Sequence, residues 1–199
     1  MFIPSQTTFT EAEKIVLGAC HATQTRLTGL IAGTLLETAA GWRPVQKLMQ
    51  GDEVFTYDGG LRAIDRLERR FLDSAEVAPE GLVHIPGGVL SNSEDLLVLP
   101  DQKLLIETTV LGGVAALVRA ADLVGQGGIT RTQPDRHIQI VRPVFDDEEI
   151  LWANAGLLFH CAESSNGNGF FRGATSGDIA AIRRPLFHTE NAPEYRQAA

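Results

Sequence analysis

The stretch from Gly29 to Gly60 limits the choice of fold more than any other part of the chain. Leu30-Ile31 and Leu35-Leu36 are short apolar runs, and Gly33 lies between them where a backbone bend needs no Cβ. Ala39-Ala40-Gly41 turns the chain, and Pro44 stands where a short helical turn can begin, its fixed φ suiting a first helical position. Val45, Leu48 and Met49 share one face of such a turn. Gly51-Asp52 ends it, Val54-Phe55-Thr56-Tyr57 reads as a strand, and Asp58-Gly59-Gly60 closes a hairpin. Two short strands and a tight return within 32 residues leave room for little but a β-rich domain.

The same residues carry a resemblance. Gly33-Thr34 near a strand start, a small-residue turn, Pro44-Val45-x-x-Leu48, then Gly51-Asp52-x-Val54 and a hairpin resemble the opening of a Hint domain. This is the hedgehog/intein self-processing family, in particular its free-standing bacterial members. Two later blocks extend the likeness. In Leu82 to Ile106, strands at Leu82–Ile85, Leu96–Leu99 and Lys103–Ile106 are separated by Pro86-Gly87-Gly88 and Pro100-Asp101. They resemble the family's central block, where a strand leads into serine or threonine, proline, any residue and histidine. In residues 136–163, a strand through Ile138, Ile140, Val144 and Phe145 turns at Asp146-Asp147-Glu148. It returns through Ile150–Asn154, and Asn154-Ala155-Gly156-Leu157 then resembles the family's terminal hairpin.

The remaining segments read more plainly. Thr10 with Glu13 and an apolar stripe of Ala12, Ile15, Val16 and Ala19 predict a helix over residues 10–22. Leu61 to Leu72 reads as one twisted edge strand, its Arg62, Arg66, Arg69 and Arg70 solvated rather than gathered for phosphate. Asp73 to Gly81 reads as a loop, and Ala115 to Val124 as a short helix ended by Gly125. Residues 164–169 form a connector. The segment from Asp178 onward keeps Ile179, Ile182, Leu186, Phe187 and Tyr195, either packed on the domain or held out for a partner. The expected organisation is an N-terminal helical extension (1–28), a mostly β, Hint-like fold of short strands, hairpins and a few short helices (29–165), and a linker with a C-terminal arm (166–199).

Composition narrows the function. A formal net charge of −8 in 199 residues argues against a general nucleic-acid binder. The apolar region from Val110 to Val124 is too short for a bilayer and is interrupted by Arg119 and Asp122, so no membrane partner is expected. The start has no signal-peptide pattern, which points to the cytoplasm. Cys20 and Cys161 have no metal-ligand spacing, and neither a metal nor a cofactor is expected. Cys20 and His21 are neighbours, but adjacent helical residues diverge and cannot work as a pair.

The resemblance implies a set of working residues, and this chain departs from it at each. Self-processing needs a thiol or hydroxyl four residues before the glycine of Gly-Thr, to attack the preceding carbonyl and convert an amide to an ester or thioester. That position is Gly29. The central histidine, which supplies protons and polarises the scissile amide, is Gln102, which does not titrate near neutrality. The serine or threonine that orients the amide is Leu99, and histidines implied near Arg142 and Glu148 are absent. His84 lies outside the motif and reads as a strand surface residue. Catalytic residues are therefore expected to be none. A protein partner or self-association is expected, with the two chain ends as its seat. The competing reading is self-cleavage by an N–O or N–S acyl shift through Thr28, or through Cys20 after rearrangement.

Overall fold

The computed structural model describes residues 27–77, 80–107, 113–134, 137–161 and 169–182. The helix expected over 10–22, the 164–168 connector and the chain beyond Ile182 lie outside these residues. The architecture is mostly β. Its strands in chain order are β1 (Leu30–Ile31), β2 (Leu35–Thr38), β3 (Gly41–Pro44), β4 (Glu53–Thr56), β5 (Gly60–Ala63), β6 (Arg66–Leu72) and β7 (Leu82–Ile85). They continue with β8 (Leu96–Val98), β9 (Lys103–Ile106), β10 (Ala116–Arg119), β11 (Thr130–Thr132), β12 (Ile138–Val144), β13 (Glu149–Ala153) and β14 (Leu157–Cys161).

Three antiparallel sheets result. The largest runs β10-β9-β14-β13-β2-β4-β5, with β3 paired to β2, and two three-stranded sheets run β1-β12-β6 and β11-β7-β8. The inward faces share one core containing Leu36, Val54, Leu104, Leu151 and Phe159, each at most 1% exposed. A second cluster joins Ile31, Leu72, Leu82, Leu99 and Ile140 beneath the small β12 sheet. A third, of Leu105, Leu117, Ile150 and Leu158, lies where Trp152 and Phe171 pack against it.

The Gly29–Gly60 reading holds in outline, with Gly33 (φ 104°) and Gly51 (φ 85°) at positive φ. Five details of the sequence reading need correction. Pro44 ends β3 with ψ 132° and precedes the short turn Val45–Lys47, so it is not the first helical residue. Within that turn Val45 and Leu48 are buried, but Met49 is 65% exposed. Residues 61–72 form two strands, not one. The chain bends at Ile64, whose side chain enters the core and whose backbone bonds to Gly51 and Asp52, so β5 and β6 become edges of different sheets. Ser74–Val77 is a helical turn inside the expected loop, started by a reciprocal cap: Glu76 N–H donates to Asp73 Oδ1 and Asp73 N–H to Glu76 Oε2.

The helix expected at Ala115–Val124 is strand β10 followed by a single tight turn, Ala120–Leu123. Ala116, Leu117 and Val118 are buried in succession, which a helix with one polar face cannot achieve but an interior-facing strand covered on both sides can. Residues 169–182 pack on the domain. Leu117 N–H donates to Arg172 O and Ala174 N–H to Leu117 O, both at 2.8 Å, which covers part of the open edge of β10. A short helix, Ser176–Ile182, then buries Ile182 in the main core.

The β13–β14 connection carries local strain. Asn154 (φ 45°) and Ala155 (φ 70°) are both left-handed. Asn154 tolerates this, and its Oδ1 accepts the Leu35 N–H at 2.9 Å. Alanine has no such compensation. Ala155→Gly is expected to raise stability by about 0.5–1 kcal/mol, relief of the Cβ clash exceeding the added freedom of the unfolded chain. An unchanged urea midpoint would count against it.

Candidate functional site

Where the chain enters the domain there is a cleft of about 200 Å³. Thr28 and Gly29 form one wall just before β1. Gln102 and Lys103 come from the start of β9, Arg142 from β12, and His160 and Cys161 from the end of β14. Of the three positions singled out in the sequence, Gly29 and Gln102 line the cleft and touch, whereas Leu99 is not part of its lining.

Gln102 is 2% exposed and its amide is fully used. Its Oε1 accepts the Gly29 N–H at 2.9 Å, and its Nε2 donates to Lys103 O at 2.9 Å and to His160 O at 2.8 Å. These partners fix the amide's orientation, because an N–H can only donate and a carbonyl can only accept. The side chain thus binds the backbone amide that a nucleophile at residue 29 would have to open, yet a carboxamide does not titrate near neutrality and cannot pass a proton to it.

Gly29 sits at φ +134°, and a Cβ there would come within 2.5 Å of Ile140 Cγ2. The position is therefore closed to a nucleophilic side chain as well as lacking one. Leu99 is fully buried in the second cluster with Ile31 and Ile140, so it packs where a hydroxyl was implied. Thr28 is half-buried on the cleft wall. His84 is remote, bonded to Asp95 Oδ2 at 3.0 Å. Cys161 reaches the cleft, but complete burial pushes its thiol up to about 12, which leaves it protonated and inert.

The sequence reading missed one pair. His160 Nε2 lies 2.6 Å from Glu148 Oε1, and both side chains are at most 10% exposed. The other oxygen of Glu148 accepts the Phe171 N–H at 3.0 Å. Burial works against the charged form of Glu148, but the Phe171 N–H and His160 overcome it and hold the carboxyl below its usual value. Burial also lowers His160, against the pull of Glu148 and with help from Lys103. The pair is thus neutral imidazole donating to carboxylate. Both groups bind protons more readily in the unfolded chain, so stability must fall as pH drops below the ordinary imidazole value and on through the carboxylate range. Melting temperature is expected to be lower at pH 5 than at pH 7.5, and His160→Gln is expected to flatten that dependence. An equally steep dependence in the variant would locate the titration elsewhere.

Continuous bonding therefore runs from the Gly29 amide through Gln102, His160 and Glu148 to Phe171. The family model for the Hint domain matches residues 28–160, well over half of the chain and the very region that builds this cleft. The chain belongs to the Hint family.

A solved structure agrees on the fold. The bacterial intein-like domain from Clostridium thermocellum superposes with a TM-score of 0.51 at 16% identity, over 67% of this chain and 99% of that one. A splice-inactive variant of the AceL NrdHF class 3 split intein gives 0.48 at 15% identity, over 70% of this chain and 100% of that one. Comparison with curated proteins finds no match. Among the described residues of this Hint chain, no group of His, Cys, Asp and Glu is arranged to hold a metal ion. Nor is any helix among them long and apolar enough to cross a membrane.

Proposed function

We infer that this Hint domain has kept its fold and given up self-cleavage, and that it serves as a structural or protein-interaction module. The observation that carries the reading is the closed Gly29–Gln102 contact. The amide at the cleavage position is held by a side chain that cannot protonate it, and no nucleophile has room beside it. An acyl shift needs an oxygen or sulfur to attack the preceding carbonyl while the departing amide nitrogen gains a proton. Gly29 offers no attacking atom and Gln102 no proton. Thr28 supplies a hydroxyl one residue too early, and the one imidazole at the cleft, His160, is already bonded to Glu148.

Freshly purified protein is accordingly expected to keep its full-length mass in the presence of dithiothreitol or hydroxylamine, which intercept thioesters and esters. Fragments ending at residue 27 or 28 that form only with these reagents would overturn the reading. The C-terminal segment is one of the two expected seats for a partner; its described portion packs on the domain with Ile182 buried, and Leu186, Phe187 and Tyr195 lie outside the described residues.

A further inference from the structure

We propose that the remnant cleft binds a single carboxylate, presented by an acidic side chain or the chain end of a partner polypeptide. The proposal rests on the cleft no longer cleaving its own chain, and it gives the interaction module a specific point of contact.

The argument starts from charge. Three cations line the cleft in a chain of net charge −8, and they are not equally satisfied. Arg119 is held by Asp122 at 3.0 Å and by Asp101 at 3.4 Å. Arg142 binds Glu68 at 2.8 Å but shares that carboxylate with Arg66, so two guanidiniums divide one negative charge. Lys103 has no ion-pair partner among the described residues, although it is half-buried. The nearby acids are all engaged: Asp101 and Asp122 by Arg119, Glu68 by two arginines, Glu148 by His160 and the Phe171 N–H, and buried Glu149 by Arg62 at 3.3 Å.

The two under-compensated cations line the same cleft, together with His160 and Cys161 at the end of β14. A half-buried lysine lining the same cleft as a guanidinium that retains donor capacity makes a natural seat for one carboxylate. Size excludes much else. About 200 Å³ is below the range of roughly 300–1,000 Å³ typical of whole small-molecule ligands, and matches the end of one side chain. The positions where the family resemblance implied titrating histidines now hold fixed donors and charges, suited to binding rather than to proton transfer.

The test is a titration of the full-length, isotope-labelled chain, read on the Gly29 N–H and Gln102 side-chain amide resonances. The probes are N-acetylglycine, carrying a chain-end carboxylate, and N-acetylglutamate α-methylamide, carrying a side-chain carboxylate. The uncharged N-acetylglycine methylamide and inorganic phosphate are the comparisons. Saturable shifts with one or both carboxylates and none with the uncharged amide are expected, and which carboxylate binds more tightly identifies the source. Lys103→Gln and Arg142→Gln should each weaken binding at least fivefold without changing the melting temperature. Three results overturn the proposal: shifts that never saturate, equal binding by the Lys103→Gln variant, or tighter binding of phosphate than of either carboxylate. Intact mass is recorded on the same samples. Full-length protein that fails to bind refutes the cleft alone, whereas a cleaved chain refutes the loss of self-processing and the proposal with it.

Discussion

Replacing Gly156 by alanine is expected to destabilise the domain by about 1–3 kcal/mol, the range for forcing an atom into a packed site. A Cβ at this position would meet Ser91 O at 2.2 Å and Ser91 Cβ at 2.7 Å. One of these contacts is backbone, so a rotamer change cannot relieve it. The loop carrying Ser91 would have to retreat, and it is tied down on both sides. Ser93 N–H donates to Asn154 O at 2.9 Å, and buried Asn92 bonds to Pro86 O and Glu94 O. For a chain of this size the loss corresponds to a melting temperature lower by about 2–12 °C. An unchanged melt would mean that the β13–β14 turn and the Ser91 loop separate in solution.

The second large effect concerns placing a thiol at residue 29 and an imidazole at residue 102. A Gly29→Cys, Gln102→His double variant is expected to remain uncleaved and to melt well below the parent. The new Cβ meets Ile140 Cγ2 at 2.5 Å and Val141 O at 3.3 Å, at φ +134°. Strained backbone of this kind costs on the order of 1–3 kcal/mol before the steric overlap is counted. Histidine at 102 also has two ring nitrogens with which to replace three hydrogen bonds. A double-mutant cycle isolates the steric part. Gly29→Cys and Ile140→Ala should be less destabilising together than the sum of the two alone, by about 1 kcal/mol. Strict additivity would remove Ile140 as the obstacle, and cleavage between residues 28 and 29 would remove the explanation altogether.

The strands of the domain were legible because their signals are local. Alternating or β-branched runs bounded by Gly, Pro and Asp-Gly turns placed β2, β4, β7, β9 and β13 to within a residue or so of their observed bounds. The failure at Ala116–Leu123 is also instructive. Alanine-rich sequence with Arg119 and Asp122 three apart suggests a helix, and the two do form an ion pair, but across a strand end and a tight turn. Burial of three successive residues was the deciding term, and it depends on the strands that cover them rather than on local propensity. The cap formed by Asp73 and Glu76 was readable as Asp-x-x-Glu and was overlooked.

The candidate site divides in the same way. Gly29, Leu99 and Gln102 were found through turn spacing that the Hint resemblance made interpretable, and two of the three do meet. The Glu148–His160 pair was not found because its signal is a register. Counting outward from the Asn154-Ala155-Gly156 turn pairs Glu149 with Cys161, and this sets Glu148 and His160 on a diagonal of the hairpin. The role of Arg142 beside Glu68 follows from the β12–β6 register in the same manner. No arithmetic on the sequence places Phe171 beside Glu148, since the chain between them returns through residues that belong to no strand.

The Gly169–Ile182 segment has a consequence for where this molecule begins and ends as a folding unit. Family likeness stops at residue 160, but the physics does not. Without the residues beyond it, Glu148 would lose its backbone donor at Phe171. Leu117 would lose both of its partners at the β10 edge, and the apolar patch of Leu105, Ile150 and Leu158 would lose Phe171. An uncovered strand edge beside an uncovered apolar patch is what draws chains into aggregates. A module that excises itself must stand without the residues on the far side of its cut. Here the downstream residues are part of the fold, so that severing them after residue 160 would harm the piece left behind.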